Sequence, residues 1–116
     1  MPRHAVRLHA DWMVQTDDRI LEYLSQIGPA TPAELHGGLS DLGRAIGVSP
    51  AVVVTRCRLL DSYRLVDYEG EHTFSLSSIG AAYLAGDVDC SRLEQWYSYD
   101  PAADLEEGSS APDALG

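Results

Sequence analysis

The sequence of 116 residues contains no lysine, and its eight basic residues, all arginine, face eighteen acidic ones. No run of about 18 apolar residues is present, which argues against a membrane span. The N-terminus carries arginines but lacks the apolar stretch of a secretory signal. We therefore expect a cytoplasmic protein with no membrane partner. The length gives room for one domain of ordinary size plus tails.

The sequence is also poor in the residue patterns that carry chemistry. Its two cysteines, Cys57 and Cys90, lie far apart, and a disulfide is not expected in a cytoplasmic protein. The four histidines are scattered, and together with the cysteines they show no zinc spacing. There is no phosphate-binding glycine loop and no paired nucleophile and base. We expect no enzyme activity, no metal, no cofactor and no small-molecule ligand, and a structural role for both cysteines.

The acidic charge lies in one half of the chain. Residues 1–65 hold seven arginines and seven acids, whereas residues 66–116 hold one arginine and eleven acids and carry the whole net charge of −10. An acidic, lysine-free composition is typical of proteins from salt-loving archaea, although a GC-rich genome also favours arginine over lysine. In molar salt, acidity serves solubility and does not argue against a nucleic-acid partner.

The first part of the chain predicts an arm and two helices. Residues 1–15 form the arm. Helix one is expected from Thr16 or Asp17 to Ile27, where Gly28-Pro29 stops it. A capping-box pattern over residues 31–34 opens helix two, whose apolar spacing continues to residue 46 with a kink or break near Ser40.

A third helix follows a tight turn at Gly47. Ser49 is a good N-cap and Pro50 suits the first helical position, so the helix is predicted from Pro50 to about Tyr63. Its spacing places Val53, Cys57 and Leu60 on the core face.

The remaining elements complete a recognisable order. Residues 65–68 and 73–76 alternate apolar and polar residues and predict a hairpin with its turn at 69–71. A last helix is expected over 79–85, an extension with a further short helix over 87–99, and a disordered acidic tail over 100–116. The fold class is mainly α with a small β-hairpin. It is a winged helix-turn-helix domain over residues 16–86, with a three-helix core, a wing and an extra C-terminal helix.

A set of short motifs occurs in a recognisable order and spacing, at Trp12-Met13 and at residues 17–22, 28–34, 47–49, 55–60 and 80–86. In this order the sequence resembles the small winged-helix regulators of halophilic archaea, including the phage-repressor-like group, over about residues 12–94. The resemblance implies sequence-specific DNA binding and transcriptional control, most simply as a repressor. The third helix departs from the family pattern, because Pro50–Val54 is less polar than usual and Arg64 stands where glycine is common.

If helix 49–63 enters a major groove, its N-terminus meets a phosphate and its small side chains face base edges. The arginines then bind phosphate or guanine, and the wing offers a single histidine. Such a small readout surface suggests a homodimer on palindromic double-stranded DNA. The residues expected to contact DNA are Ser49, Ala51, Val52, Thr55, Arg56, Arg58, Arg64 and His72.

The acidic wing, with Asp67, Glu69 and Glu71, supports an alternative function. In this alternative the chain is a winged-helix protein-interaction module without DNA binding, using the valine-rich face of helix three or the aromatic segment 88–99. The candidate dimer surfaces are helix one with the Trp12 region and the segment 93–97. The aromatic residues there could equally cover the domain's own core.

Overall fold

The computed structural model describes residues 6–41 and 48–105. The predicted order of helices and hairpin is confirmed, with most helix ends within a residue or two of their expected places. The second helix ends at Asp41, and both its continuation to residue 46 and the turn predicted at Gly47 lie outside the described residues, so the kink or break near Ser40 stays a prediction. The elements are α1 (Gln15–Ile27), α2 (Pro32–Asp41), α3 (Pro50–Ser62), β1 (Val66–Gly70), β2 (Thr73–Leu76), α4 (Ser78–Leu84) and a 3₁₀ turn (Cys90–Arg92).

Local capping explains where the helices begin and end. Gly28 ends α1 with a positive φ of 116°, a conformation that glycine adopts without strain. The Thr31 hydroxyl and the Glu34 carboxylate each accept the other residue's backbone N–H, which forms the predicted capping box of α2. The Ser49 hydroxyl accepts the N–H of Val52 at the start of α3.

The wing is an antiparallel hairpin with β1 and β2 paired from Val66–Leu76 outward. Ala30 pairs with Phe74, so the chain between α1 and α2 adds one bridge to the hairpin's second strand. The turn lies at Glu71 and His72, one residue later than predicted, and both adopt positive φ. The hairpin is therefore fixed at its base against the start of α2.

The core lies where α1, α3 and α4 meet the base of the hairpin. Val53, Cys57 and Leu60 are fully buried, which confirms the predicted core face of α3. Burial raises the pKa of the Cys57 and Cys90 thiols to about 12, so both stay protonated at neutral pH. The remaining fully buried apolar residues are Ile20, Leu21, Leu35, Leu39, Leu65, Val66 and Tyr83.

The arm and the C-terminal extension are both packed onto the domain. Leu8 forms a bridge with Asp89, and Ala10 and Met13 are buried. Trp12 stacks on Tyr63 with ring centroids 4.4 Å apart, so it covers the domain's own core.

Two expectations for the C-terminal part were wrong. The described segment 87–99 contains only the 3₁₀ turn at 90–92, in place of a helix long enough for dimerisation. Residues 101–105 are helical where disorder was expected, whereas residues 106–116 of the predicted tail lie outside the described part of the chain.

Candidate nucleic-acid interface

One stripe of α3 is open to solvent. Ala51, Val54 and Arg58 follow one another at the i, i+3, i+7 spacing of a single helix face. Ala51 and Arg58 are exposed, and Val54 is half-buried. This exposed stripe, defined as Ala51, Val54 and Arg58, is the part of α3 that a nucleic acid can reach.

Thr55 does not lie on the exposed stripe, so its predicted position was wrong. Its side chain is buried, with 4% exposed, and its hydroxyl donates a 2.8 Å hydrogen bond to the Val52 carbonyl one turn earlier. The hydroxyl is therefore satisfied within the helix. A base edge cannot reach it without displacing the packing around it.

Arg56 is likewise directed into the domain and away from solvent. Its Nε and Nη2 donate hydrogen bonds of 2.9 and 2.6 Å to the two carboxylate oxygens of Asp17, and Nη2 also donates to the Trp12 carbonyl at 2.9 Å. The Asp17 side chain is fully buried and that of Arg56 is 13% exposed. The predicted DNA contact of Arg56 is thus replaced by a bidentate pair that fastens α3 to the start of α1.

Asp17 has a second role in the same pair. Its Oδ2 also accepts the backbone N–H of Val14 at 2.9 Å, which caps the first turn of α1. One carboxylate therefore fixes the start of α1 and, through Arg56, the rotation of α3 about its own axis. This rotation decides which α3 side chains face solvent.

Val54 and Arg58 of the exposed stripe line a groove of about 800 Å³. Its walls are α3, the hairpin, the start of α2 and a C-terminal segment that includes Tyr97 and Tyr99. Among the described lining residues, the basic ones are Arg58 and His72. The other lining residues are Thr31, Pro32, Ala33, Val54, Asp61, Tyr68, Glu71 and Phe74.

Of the predicted helix-start and wing residues, His72 lines the groove, whereas Ser49 and Ala51 are exposed at the first turn of α3 and Val52 is half-buried beside them. The N–H groups of Val52 and Val53 are already bonded to Ser49, and Pro50 has none. His72 is exposed at the hairpin tip, and its backbone N–H donates to the Tyr68 hydroxyl at 3.0 Å. The groove thus brings together the two parts of a winged helix that can approach a duplex.

Both remaining arginines of the predicted set contact the C-terminal segment. Arg58 lies 3.1 Å from the Asp104 carboxylate, with 51% of its side chain exposed. The Arg64 guanidinium lies over the Trp96 ring, 4.6 Å from its centroid. Arg58 therefore lines the groove, whereas Arg64 packs on Trp96 in the segment that borders the groove.

Two tyrosines of that segment donate to carboxylates. Burial and the hydrogen bond to Asp61 raise the pKa of Tyr97 to about 12. Burial and the 2.5 Å bond to Asp104 raise the pKa of Tyr99 as well. Both hydroxyls remain protonated at neutral pH, so these contacts do not depend on pH in the physiological range.

Other kinds of site find little support in the described part of the chain. Over residues 6–41 and 48–105, no three His, Cys, Asp or Glu side chains gather as metal ligands would. No helix there has the length and apolar character needed to span a membrane.

The chain matches the family described as winged helix-turn-helix phage repressor over residues 6–96. The chain belongs to this family. The family is one of repressors rather than enzymes, which confirms the prediction that the chain is not an enzyme. Comparison with curated proteins gives no match.

A solved structure agrees with this membership. The crystal structure of the PhiH1 repressor-like protein from Haloarcula marismortui is similar with a TM-score of 0.70 and 28% sequence identity. The similarity covers 78% of this chain and 98% of that protein. The fold class is therefore confirmed as a winged helix of the phage-repressor family.

Sequence reasoning missed three features of this family member's groove. Val54 was left out of the expected contacts, although it lies between Ala51 and Arg58 on the exposed stripe. Asp17 was interpreted as an acid that suits a first helical turn, with no sign that an arginine 39 residues later would pair with it. The contact of Asp104 with Arg58 was not predicted either. Tyr97 and Tyr99, just before the acidic tail, are the sequence feature that points to packing of this segment.

Proposed function

We propose that this phage-repressor family member is a sequence-specific DNA-binding transcriptional repressor that reads the major groove through the exposed stripe of α3. The observation that carries the proposal is that Val54 and Arg58 line an open groove flanked by the hairpin and the start of α2, with Ala51 exposed on the same helix face. In helix-turn-helix proteins the second helix of the motif lies in the major groove in this setting. The description of the family as phage repressors supports the direction of control.

The chemistry of the stripe suggests how bases are read. Ala51 and Val54 offer methyl groups that suit the C5-methyl of thymine, and Arg58 offers a guanidinium that can bind guanine in a bidentate manner. The exposed Ser49 hydroxyl at the positive end of the α3 dipole suits a phosphate. Thr55 and Arg56 are not part of this proposal, because both are engaged inside the domain.

The acidic surface sets the conditions of binding. We infer that the net charge of −10 without lysine is an adaptation to a salt-rich cytoplasm, which agrees with the similarity to a Haloarcula protein. At molar salt the Debye length is about 3 Å, so Glu71 at the hairpin tip repels a phosphate only at contact distance. Affinity must then come mainly from shape, hydrogen bonds and apolar contact, since counterion release is weakened.

The small stripe also supports a homodimer. Three side chains of one helix read few base pairs, and two copies on a palindrome double the contact. Trp96 offers an exposed aromatic surface for such a pairing, although Arg64 already covers one face of its ring.

Replacing Arg58 by alanine is expected to lower the preference for the selected duplex over a scrambled one about tenfold, since one bidentate contact to guanine is worth about 1–3 kcal/mol. The measurement is fluorescence anisotropy in molar KCl, with a duplex enriched by the wild-type chain from a random-sequence pool and a scrambled duplex beside it. The stoichiometry at saturation tests the homodimer, for which two chains per duplex are expected.

Arg92→Ala is the matched control. Arg92 is an arginine paired with an aspartate, as Arg58 is, but it lies on the 3₁₀ turn with 85% of its side chain exposed. Its loss is expected to leave the affinity unchanged. If both substitutions weaken DNA binding equally, readout of the bases by α3 is contradicted. If the folded protein enriches no duplex from the pool, the alternative function as a protein-interaction module is favoured.

A further inference from the structure

A strap of the chain, defined as residues 95–105, crosses the solvent side of α3. Its first contacts are with the last turn of that helix. The Trp96 N–H donates to the Ser62 carbonyl at 2.7 Å, and the Gln95 side-chain amide donates to the Ser62 hydroxyl at 3.0 Å. The same amide donates to the Tyr99 carbonyl, which folds the strap back on itself. The strap is therefore attached where α3 ends.

The strap then follows α3 toward the exposed stripe. The Tyr97 hydroxyl donates to the Asp61 carboxylate, one residue before the end of the helix. The Tyr99 hydroxyl donates to Asp104, and Asp104 lies 3.1 Å from the Arg58 guanidinium. Successive contacts thus move from Ser62 through Asp61 to Arg58, in the direction of the helix N-terminus.

Asp104 places an anion where a duplex would place one. A carboxylate oxygen within hydrogen-bond distance of a guanidinium nitrogen imitates the contact of a phosphate oxygen with arginine. The strap has two acids and no basic residue, and its Tyr97 and Tyr99 rings form one wall of the groove. A DNA backbone that approaches Arg58 therefore finds this arginine already paired with Asp104 of the strap.

We propose that the strap and duplex DNA compete for α3, so that the chain inhibits its own DNA binding until the strap lifts from Arg58. This inference rests on the proposed function. The contacts at Arg58, Asp61 and Asp104 are partly exposed, and ion pairs of that kind are individually weak. The strap is therefore releasable, and a partner that captures it would raise the affinity for DNA.

The size of the effect follows from the fraction of chains with the strap lifted. The apparent Kd equals the intrinsic Kd divided by that fraction, so a strap lifted in one chain of ten weakens binding about tenfold. Asp104→Asn removes the anion from Arg58 and keeps the shape of the side chain. We expect it to tighten DNA binding up to about tenfold.

The test measures DNA affinity and the position of the strap in the same full-length proteins. Asp104→Asn is compared with Glu94→Gln, which removes one negative charge from an exposed side chain just before the strap. Tyr99→Phe removes the hydroxyl that holds Asp104 without changing the charge, and a smaller gain in affinity is expected from it. Amide hydrogen exchange at Trp96 reports the strap, because its N–H donates to the Ser62 carbonyl of α3 when the strap is closed.

The competition predicts faster exchange at the Trp96 amide and tighter DNA binding in Asp104→Asn, with neither change in Glu94→Gln. Equal affinities of the two variants for a duplex that the wild type binds selectively would overturn the competition and leave the proposed function standing. Tighter binding with unchanged exchange would overturn it too, since the gain would then come from charge alone. If no variant binds any duplex while exchange shows the strap released, the proposed function itself fails and the competition fails with it.

Discussion

Arg56→Ala is expected to destabilise the protein by about 3–5 kcal/mol, the usual cost of leaving a buried charge without its partner. The Asp17 carboxylate is fully buried and receives two hydrogen bonds from the Arg56 guanidinium. The substitution also removes the bond to the Trp12 carbonyl. Since a domain of this kind is stable by about 5–15 kcal/mol, the loss is a large share of the total.

The measurement is urea unfolding followed by helical circular dichroism in molar KCl, with Arg58→Ala as the control. Arg58 lies on the same helix, and its pair with Asp104 is half exposed, so its loss is expected to cost about 1 kcal/mol or less. Adding Asp17→Asn to Arg56→Ala should recover part of the stability, because the buried charge is then gone. Equal unfolding free energies for the two arginine variants would contradict the internal role of Arg56.

This comparison also separates stability from recognition at two neighbouring arginines. Arg56→Ala weakens any DNA binding by loosening α3 from α1, whereas Arg58→Ala weakens it in a domain of nearly unchanged stability. A loss of binding in Arg56→Ala alone is therefore not evidence of contact with a base or a phosphate.

Gly80→Ala is the second substitution with a large expected effect. A Cβ at this position in α4 would lie 2.1 Å from the Leu65 carbonyl oxygen and 2.8 Å from the Leu76 Cδ1. The carbonyl is backbone at the junction of α3 and β1, so it cannot yield as the end of a flexible side chain could. We expect a loss of about 3 kcal/mol, at the upper end for overpacking substitutions.

Gly37→Ala is the matched control for the same chemical change. Gly37 also lies in a helix, but a Cβ there meets nothing within 4 Å. Alanine is favoured over glycine inside a helix by about 0.5–1 kcal/mol, so this substitution is expected to stabilise the protein. Thermal unfolding of the two variants under the same conditions gives the comparison. A Gly80→Ala protein as stable as Gly37→Ala would contradict the close packing of α4 against Leu65.

The parts of the fold that sequence predicted well are those fixed by neighbours in the chain. The Ser49-Pro50 start of α3 and the Thr31–Glu34 capping box depend on residues three or fewer positions apart. The core stripe of α3 depends on helical spacing alone. The hairpin turn was misplaced by one residue, because its positive φ angles continue past Gly70 to Glu71 and His72.

The parts that sequence could not predict depend on distant partners. Helical spacing predicted Arg56 on the flank of the α3 face opposite the core, and only the position of α1 decides that this flank is covered. Thr55 was assigned to the exposed face for the same reason. The end of the strap was hidden differently, because the composition from residue 100 onward predicted disorder. An ion pair to α3 nevertheless holds it, and this Arg58–Asp104 pair joins residues 46 positions apart.

The most direct test of the central claim is an amide NMR titration of the labelled full-length protein with the enriched duplex. If the exposed stripe reads DNA, the largest changes will fall at Ala51, Val54 and Arg58, with smaller ones at Thr31 and the hairpin tip. Changes concentrated on α1 around Arg19 and Glu22, with α3 unaffected, would contradict the claim that this winged helix binds DNA through the groove.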